Sequence, residues 1–261
     1  MSSDTQPAGV EVNRLTKVFN TNRLSVTALE DVNLRVCKGQ FVSIVGTSGC
    51  GKTTLLRIIA GLEGEFEGTI ELEGSPIEGP GVDKGVVFQE HRLLPWLSIE
   101  ENVGFGLINH HAEKRRELID RYLKLVGLGK FGKAYPGQLS GGMAQRAAIA
   151  RSLVNKPKIL LMDEPLGALD AMTRVYMQNE IDKIWLQEKI TMVMVTHDVD
   201  EAIYLSDMVV LMSCRPGRVN KIIPVSLARP RSRQHPDFLE IKREVLAELQ
   251  LQSKEYFNFD I

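Results

Sequence analysis

No apolar run in this 261-residue chain approaches the roughly 18 residues needed to cross a bilayer. A membrane role would therefore have to come through a partner. Neither sign of charge prevails, with 32 Lys and Arg against 33 Asp and Glu. A nucleic-acid binder would carry a clear basic excess, so no nucleic-acid partner is expected. Cysteine is scarce as well. Cys37, Cys50 and Cys214 form an odd set without metal-ligand spacing, which excludes a disulfide framework and suits a reducing cytoplasm. The stretch Met1–Gly9 is polar and lacks a basic segment followed by an apolar one. It reads as a flexible start rather than a secretory signal.

What is present is an ordinary globular composition, 43% hydrophobic and 25% charged, long enough to bury a core without staples. Five short apolar runs do not alternate with polar residues: 41–45, 85–88, 159–162, 191–195 and 208–212. Strands covered on both faces look like this, as in a parallel sheet flanked by helices. Val10–Val12, Val32–Val36 and Gly68–Gly74 alternate instead, which predicts half-exposed antiparallel strands beside the parallel core. Leu118, Ile119, Tyr122, Leu123 and Val126 share one helical face, and residues from about 95 to 156 read as a mostly helical inserted lobe. After Pro224 the chain changes character. Pro230 and Pro236 punctuate it, and a short helix with Phe238, Ile241, Val245 and Leu249 on one face comes next. The expected division is 1–9, 10–223 and a C-terminal extension 224–261.

Chemistry concentrates at Gly46-Thr47-Ser48-Gly49-Cys50-Gly51-Lys52-Thr53, which satisfies G-x-x-x-x-G-K-[ST] between an expected strand and an expected helix. Glycines let the backbone turn its N–H groups toward an anion, and the helix start adds its positive dipole end. Lys52 is expected at the β- and γ-phosphates of ATP and the Thr53 hydroxyl at Mg²⁺, with Thr54 closing the nucleotide-binding set. A metal-orienting acid is needed at a neighbouring strand end. Asp163, after Ile159–Met162, supplies it, and Glu164 stands next to it as the base for the attacking water. A guanine reader of the Asn-Lys-x-Asp type is missing: Asn155-Lys156-Pro157-Lys158 has a lysine where the acid should be, which disfavours GTP.

Between these motifs, Leu139-Ser140-Gly141-Gly142-Met143-Ala144-Gln145-Arg146 resembles the signature of ABC ATPases. The resemblance runs over about residues 10–220. It takes in Phe19, Gln89, the pair Asp163-Glu164, Ala168-Leu169-Asp170 and His197 in the family's order; Met143 departs from it, where many members have Gln. The implied fold is an α/β P-loop NTPase (RecA-like) core with an antiparallel β layer and an inserted helical signature lobe. The implied roles are adenine stacking for Phe19, a Mg²⁺ or water contact for Gln89, and a γ-phosphate hydrogen bond for His197. Ser140, Gly141 and Gly142 would close over the ATP held by a second ATPase subunit, and Asp170 would help to join the two. Without the family's context, Phe19 reads as a core aromatic and His197 as structural.

Residues 87–96, 167–174 and 215–238 resemble more narrowly the ATPases of nitrate, sulfonate, taurine and bicarbonate importers. That resemblance implies permease subunits docking near Gln89–Trp96, with Leu93, Leu94 and Trp96 as the apolar contact. It further implies an indirect link to an extracytoplasmic solute-binding protein and a peripheral place on the cytoplasmic face of the bacterial inner membrane. An exporter ATPase is the alternative, and a soluble ABC ATPase acting on ribosomes or DNA a more distant one.

Overall fold

The computed structural model describes residues 6–20 and 24–258, with side chains through Leu251. The chain divides into two units, Met1–Pro80 with Thr191–Ile261, and Gly81–Ile190. In chain order the first unit holds β1 (Ala8–Asn20), β2 (Ser25–Cys37), β3 (Phe41–Gly46), α1 (Lys52–Ile59), β4 (Glu67–Leu72) and β5 (Ser75–Pro76). The second holds β6 (Lys84–Val87), α2 (Ile99–Val103), α3 (Ala112–Leu125), α4 (Gly141–Leu153), β7 (Ile159–Asp163) and α5 (Ala171–Glu188). The chain then returns to the first unit with β8 (Thr191–Thr196), α6 (Val199–Leu205), β9 (Met208–Ser213), β10 (Arg218–Pro224) and α7 (Pro236–Asn258).

In the first unit β3 lies between β8 and β9 and pairs with both in parallel, Phe41 opposite Met192 and Gly46 opposite Met212. Every residue of β3 and β8 is buried, as the uninterrupted apolar runs require. The antiparallel layer has the order β2-β1-β4-β5. Its strands are longer than the alternating segments suggested. β1 and β2 each run 13 residues, their register broken by bulges that let a long ribbon twist. Residues 1–5 of the expected flexible start lie outside the described residues. The rest of it is not loose: Ala8 opens β1 opposite Cys37, and Lys38 N donates to Pro7 O at 2.9 Å.

The second unit contains the parallel pair β6–β7, with Gly85 opposite Leu160. A β-carbon at Gly85 would come 2.8 Å from Ser152 O, so glycine lets α4 lie close to this strand. The expected lobe at about 95–156 comprises α2, α3 and α4 with 3₁₀ turns between them. Ser98 caps α2 in a reciprocal box with Glu101, whose carboxyl is held below its usual range by the Ser98 hydroxyl.

The tail departs most from expectation. Its helix is not short: α7 runs 23 residues. Phe238 and Val245 are fully buried beneath it, each worth roughly 1.5–3 kcal/mol of burial, whereas Ile241 and Leu249 are only half-buried. Lys242 adds an ion pair to Asp200 at 2.7 Å. The strand β10, antiparallel to β9, had no alternating signal strong enough to announce it. Between β10 and α7, Arg231 is buried and donates to the carbonyls of Ile203 (2.8 Å), Tyr204 (3.1 Å) and Ser206 (2.6 Å), at the end of α6. One guanidinium thus satisfies several helix-end carbonyls, and Arg229 donates to that of Leu205 beside them. Arg231→Ala is expected to lower unfolding stability by about 3 kcal/mol, read from the urea midpoint, because buried carbonyls lose their donors. Arg231→Lys should recover only part of that loss, since an ammonium cannot reproduce the planar fork.

Candidate nucleotide site

β3 ends at Gly46 and α1 begins at Lys52, so the phosphate loop joins the buried central strand to a helix start. Gly46 is required by contact. A β-carbon there would lie 2.7 Å from both Cys50 Sγ and Met212 O. Gly51 caps α1 at φ 86°, and a β-carbon on it would strike Leu29 Cδ2 at 2.6 Å and Ala28 O at 2.8 Å. Gly51 brings no side-chain cap, so no side chain at that position competes for the N–H groups of the first turn of α1. Thr47, Ser48, Gly49 and Thr53 are exposed, Thr54 is half-buried, and Cys50 and Lys52 are buried. Lys52 Nζ donates to Gly46 O and Thr47 O, each at 2.9 Å. A third contact goes to Cys50 Sγ at 3.6 Å, so the loop's own atoms take up the ammonium's three N–H groups.

The next strand over delivers a histidine to the same end of the sheet. β8 stops at Thr196 and exposed His197 comes directly after it. The backbone on either side of His197 is pinned: Asp198 N donates to Thr196 Oγ1 at 3.1 Å, and the Asp198 carboxylate caps α6 by accepting from Glu201 N at 3.0 Å. Thr196 Oγ1 donates in turn to buried Glu201 Oε2 at 2.6 Å. Thr196 and Glu201 escaped the reading of the sequence; an acid four residues after a histidine at a strand end was their available signal. Phe19 lies on β1, 38% exposed, with Lys17 Nζ 4.8 Å from its ring centroid. It is therefore not a core aromatic, and a cation lies over its ring.

In the second unit, β7 ends at Asp163, and half-buried Glu164 comes next with φ at 45°, a left-handed conformation uncommon outside glycine. Exposed Gln89 lies just past β6. A β-carbon at Gly167 would stand 3.6 Å from Gln89 Nε2 and 3.7 Å from Glu164 Oε2, so both side chains border the same glycine. Gln89 is positioned by α4. Gln145 Nε2 donates to Phe88 O at 3.2 Å, Ser152 Oγ to Val86 O at 2.8 Å, and Arg151 to His91 O at 3.1 Å and Arg92 O at 2.8 Å. Burial pushes the Arg151 pKa down from its ordinary value.

The signature residues begin that same helix. Exposed Ser140 caps α4 by accepting from Met143 N at 3.3 Å, and Gly141 and Gly142 form its first turn. A β-carbon on Gly142 would meet Thr173 Cγ2 at 2.7 Å. Ser140 and Gly142 line a cavity of about 420 Å³ with Met143, Arg146, Met172 and Tyr176. Asp170 is exposed and caps α5, accepting from Met172 N at 3.1 Å and Thr173 N at 3.0 Å. Hydrogen bonding from Thr173 holds its carboxyl below the usual range. Of the expected docking residues, Leu93 is buried in the lobe and Leu94 is half-buried, while Trp96 is 70% exposed. Of the apolar contact expected of all three, Leu93 is taken up by packing, which leaves Trp96 and part of Leu94 at the surface.

The sequence profile described as ABC transporter matches residues 29–167, more than half of the chain. This chain belongs to the ABC transporter ATP-binding family. An uncharacterised ABC transporter ATP-binding protein of Methanocaldococcus jannaschii is 51% identical over 245 residues, 93% of this chain and 92% of that protein. The aliphatic sulfonates import ATP-binding protein of Bacillus licheniformis is 46% identical over 243 residues, covering 93% and 94%. A dimeric ATP-binding cassette in a post-hydrolysis state, bound to ADP and phosphate, superposes with TM-score 0.73 at 33% identity, over 84% of this chain and all of that one. A cassette of Clostridium perfringens from an ABC transporter complex gives TM-score 0.77 at 26% identity, over 98% of this chain and 100% of that one. The fold is that of the P-loop ABC cassettes, and the subunit is an ATPase coupled to transport.

Lys52→Ala removes the one cation at the centre of the loop. ATP affinity, measured by fluorescent-nucleotide titration, is expected to fall roughly 10- to 100-fold, the equivalent of one charge-assisted hydrogen bond.

Proposed function

We propose that this subunit powers an importer of small anions, of which aliphatic sulfonates are the first class to test and nitrate, taurine and bicarbonate the others. The observation that carries this reading is the 46% identity, over nearly the whole length of both chains, to an aliphatic sulfonates import ATP-binding protein. Similar proteins of Bacillus subtilis and Bacillus cereus bear the same description, which favours import over export. No helix among the described residues is long and apolar enough to cross a membrane. The subunit accordingly acts as a peripheral protein on the cytoplasmic face of the inner membrane, bound to permease subunits that receive solute from an extracytoplasmic binding protein.

Each ATP lies against the loop Gly46–Thr54, with Lys52 at its β- and γ-phosphates and Phe19 against adenine. Thr53, Gln89 and Asp163 offer a hydroxyl, an amide oxygen and a carboxylate, an all-oxygen set suited to Mg²⁺, which prefers such donors beside phosphate and water. Mg²⁺ would neutralise charge on the phosphates. Glu164 accepts the proton of the attacking water, Gln89 orients that water, and His197 donates a hydrogen bond to the γ-phosphate. Ser140, Gly141 and Gly142 of a second ATPase subunit cover that phosphate from the other side, and Asp170 helps to seat the pair. The dimeric relative bound to ADP and phosphate supports this two-subunit arrangement. ATP favours the closed pair because the contacts to Ser140–Gly142 exist only there, and hydrolysis removes that preference.

The direct experiment is uptake of a labelled aliphatic sulfonate by cells expressing the subunit with its permease and binding protein. ATP-dependent accumulation is expected, and uptake of nitrate or bicarbonate in its place would reassign the anion. Glu164→Gln should bind ATP normally, dimerise on gel filtration and lose roughly 10²- to 10⁴-fold in turnover, the span of one general base. Parental turnover would remove Glu164 from the mechanism. Trp96→Ala should weaken permease binding by about 2 kcal/mol, as loss of an aromatic anchor does, in a pull-down titration.

A further inference from the structure

Two of the three cysteines meet at the phosphate loop, although they are 164 positions apart (214 − 50) in the sequence. β9 ends at Ser213, one strand over from β3, and Gly46 pairs with Met212. Cys214, the next residue, lies beside the loop, its Sγ in hydrogen-bond contact with Thr47 Oγ1. Cys50 reaches the same place from the loop's other side. Its Sγ occupies the space that the missing β-carbon of Gly46 leaves, 2.7 Å from that position, and Met212 O lies at the same distance. Lys52 Nζ stands 3.6 Å from Cys50 Sγ. The thiols also act on each other. Burial raises the Cys50 pKa, Lys52 lowers it, and the charge and hydrogen bond of Cys214 raise it further. Both sulfurs thus border the Gly46–Thr47 segment. Cys50 is buried and Cys214 half-exposed, while Cys37 is buried at the end of β2.

We propose that Cys50 and Cys214 form a peroxide-reactive thiol pair whose oxidation to a disulfide ties the phosphate loop to the end of β9. The more exposed thiol reacts first. The Cys214 thiolate attacks one oxygen of hydrogen peroxide, the O–O bond breaks, and hydroxide leaves to take up the released proton as water. Cys214 becomes a sulfenic acid, oxidised by two electrons. The Cys50 sulfur then attacks the Cys214 sulfur as its proton passes to the departing hydroxyl, so a second water leaves and the S–S bond forms. The sum is two thiols and one peroxide to one disulfide and two waters. Lys52 assists the second step by stabilising negative charge on Cys50, whose own burial opposes ionisation. Thr47 and Cys50 both belong to the phosphate loop. Once Cys50 is tied to Cys214 at the end of β9, the loop can no longer adjust its N–H groups to phosphate, so oxidation and nucleotide binding oppose each other. The link to ATP rests on the nucleotide reading of the loop; the bond itself does not.

The test treats the full chain with hydrogen peroxide, with and without Mg-ATP, and maps cysteine peptides by mass spectrometry beside an ATP-binding titration. A Cys50–Cys214 linked peptide is expected, with loss of ATP binding in proportion to it, protection by Mg-ATP and recovery with dithiothreitol. Cys214→Ser should keep parental ATP binding and resist peroxide, whereas Cys37→Ser should remain sensitive. Absence of the linked peptide, or equal peroxide sensitivity in Cys214→Ser, would overturn the proposal. A linked peptide without any effect on ATP binding would keep the bond and overturn its link to the nucleotide.

Discussion

Parallel pairing of three strands is the constraint on which the first unit rests. Because β8, β3 and β9 run the same way, their carboxyl ends come out together, and the segments leaving those ends are set side by side. β3 delivers the phosphate loop, β8 delivers His197 and β9 delivers Cys214. An antiparallel sheet of the same strands would have scattered these residues to opposite edges. The arrangement obeys the general rule that ligands of open α/β sheets bind outside the carboxyl ends of the strands. Its stability comes from burying both faces of β3 and β8, which is why those strands read as unbroken apolar runs.

The same property decides what could be read in advance. β3, β7, β8 and β9 were visible because burial on both faces leaves a continuous hydrophobic signal, whereas β6 alternates half-buried and buried residues and showed through its apolar composition. The phosphate loop was visible because two of its glycines are demanded by backbone contacts, Gly46 with Met212 O and Gly51 with Ala28 O, while Gly49 has a positive φ. The elements that escaped lack such a signature. β10 alternates weakly, with Ile223 alone fully buried, and its pairing with β9 comes from tertiary placement. α7 was underestimated because its buried anchors, Phe238 and Val245, lie seven residues apart, and little apolar periodicity marks the helix beyond them.

Within the second unit α4 does two jobs. Its first residues carry the signature serine and glycines, and its side chains hold the segment that carries Gln89. Gln145, Arg151 and Ser152 reach carbonyls from Val86 to Arg92. A residue-type motif could reveal the first role but not the second, because hydrogen bonds to carbonyls leave no pattern in the acceptor's sequence. Leu93 shows the converse limit: an apolar residue beside a surface tryptophan looks alike in sequence whether it packs inward or awaits a partner.

Lysine side chains are among the most mobile in a protein, and fixing one costs roughly 1.5–2 kcal/mol in lost rotamer freedom. Lys52 is already fixed, held by the carbonyls of Gly46 and Thr47 within its own loop. The chain therefore surrenders that freedom when it folds rather than when it meets its ligand. The cation is a stationary charge within the loop, and any anion that recruits it must exchange for a bond it already makes.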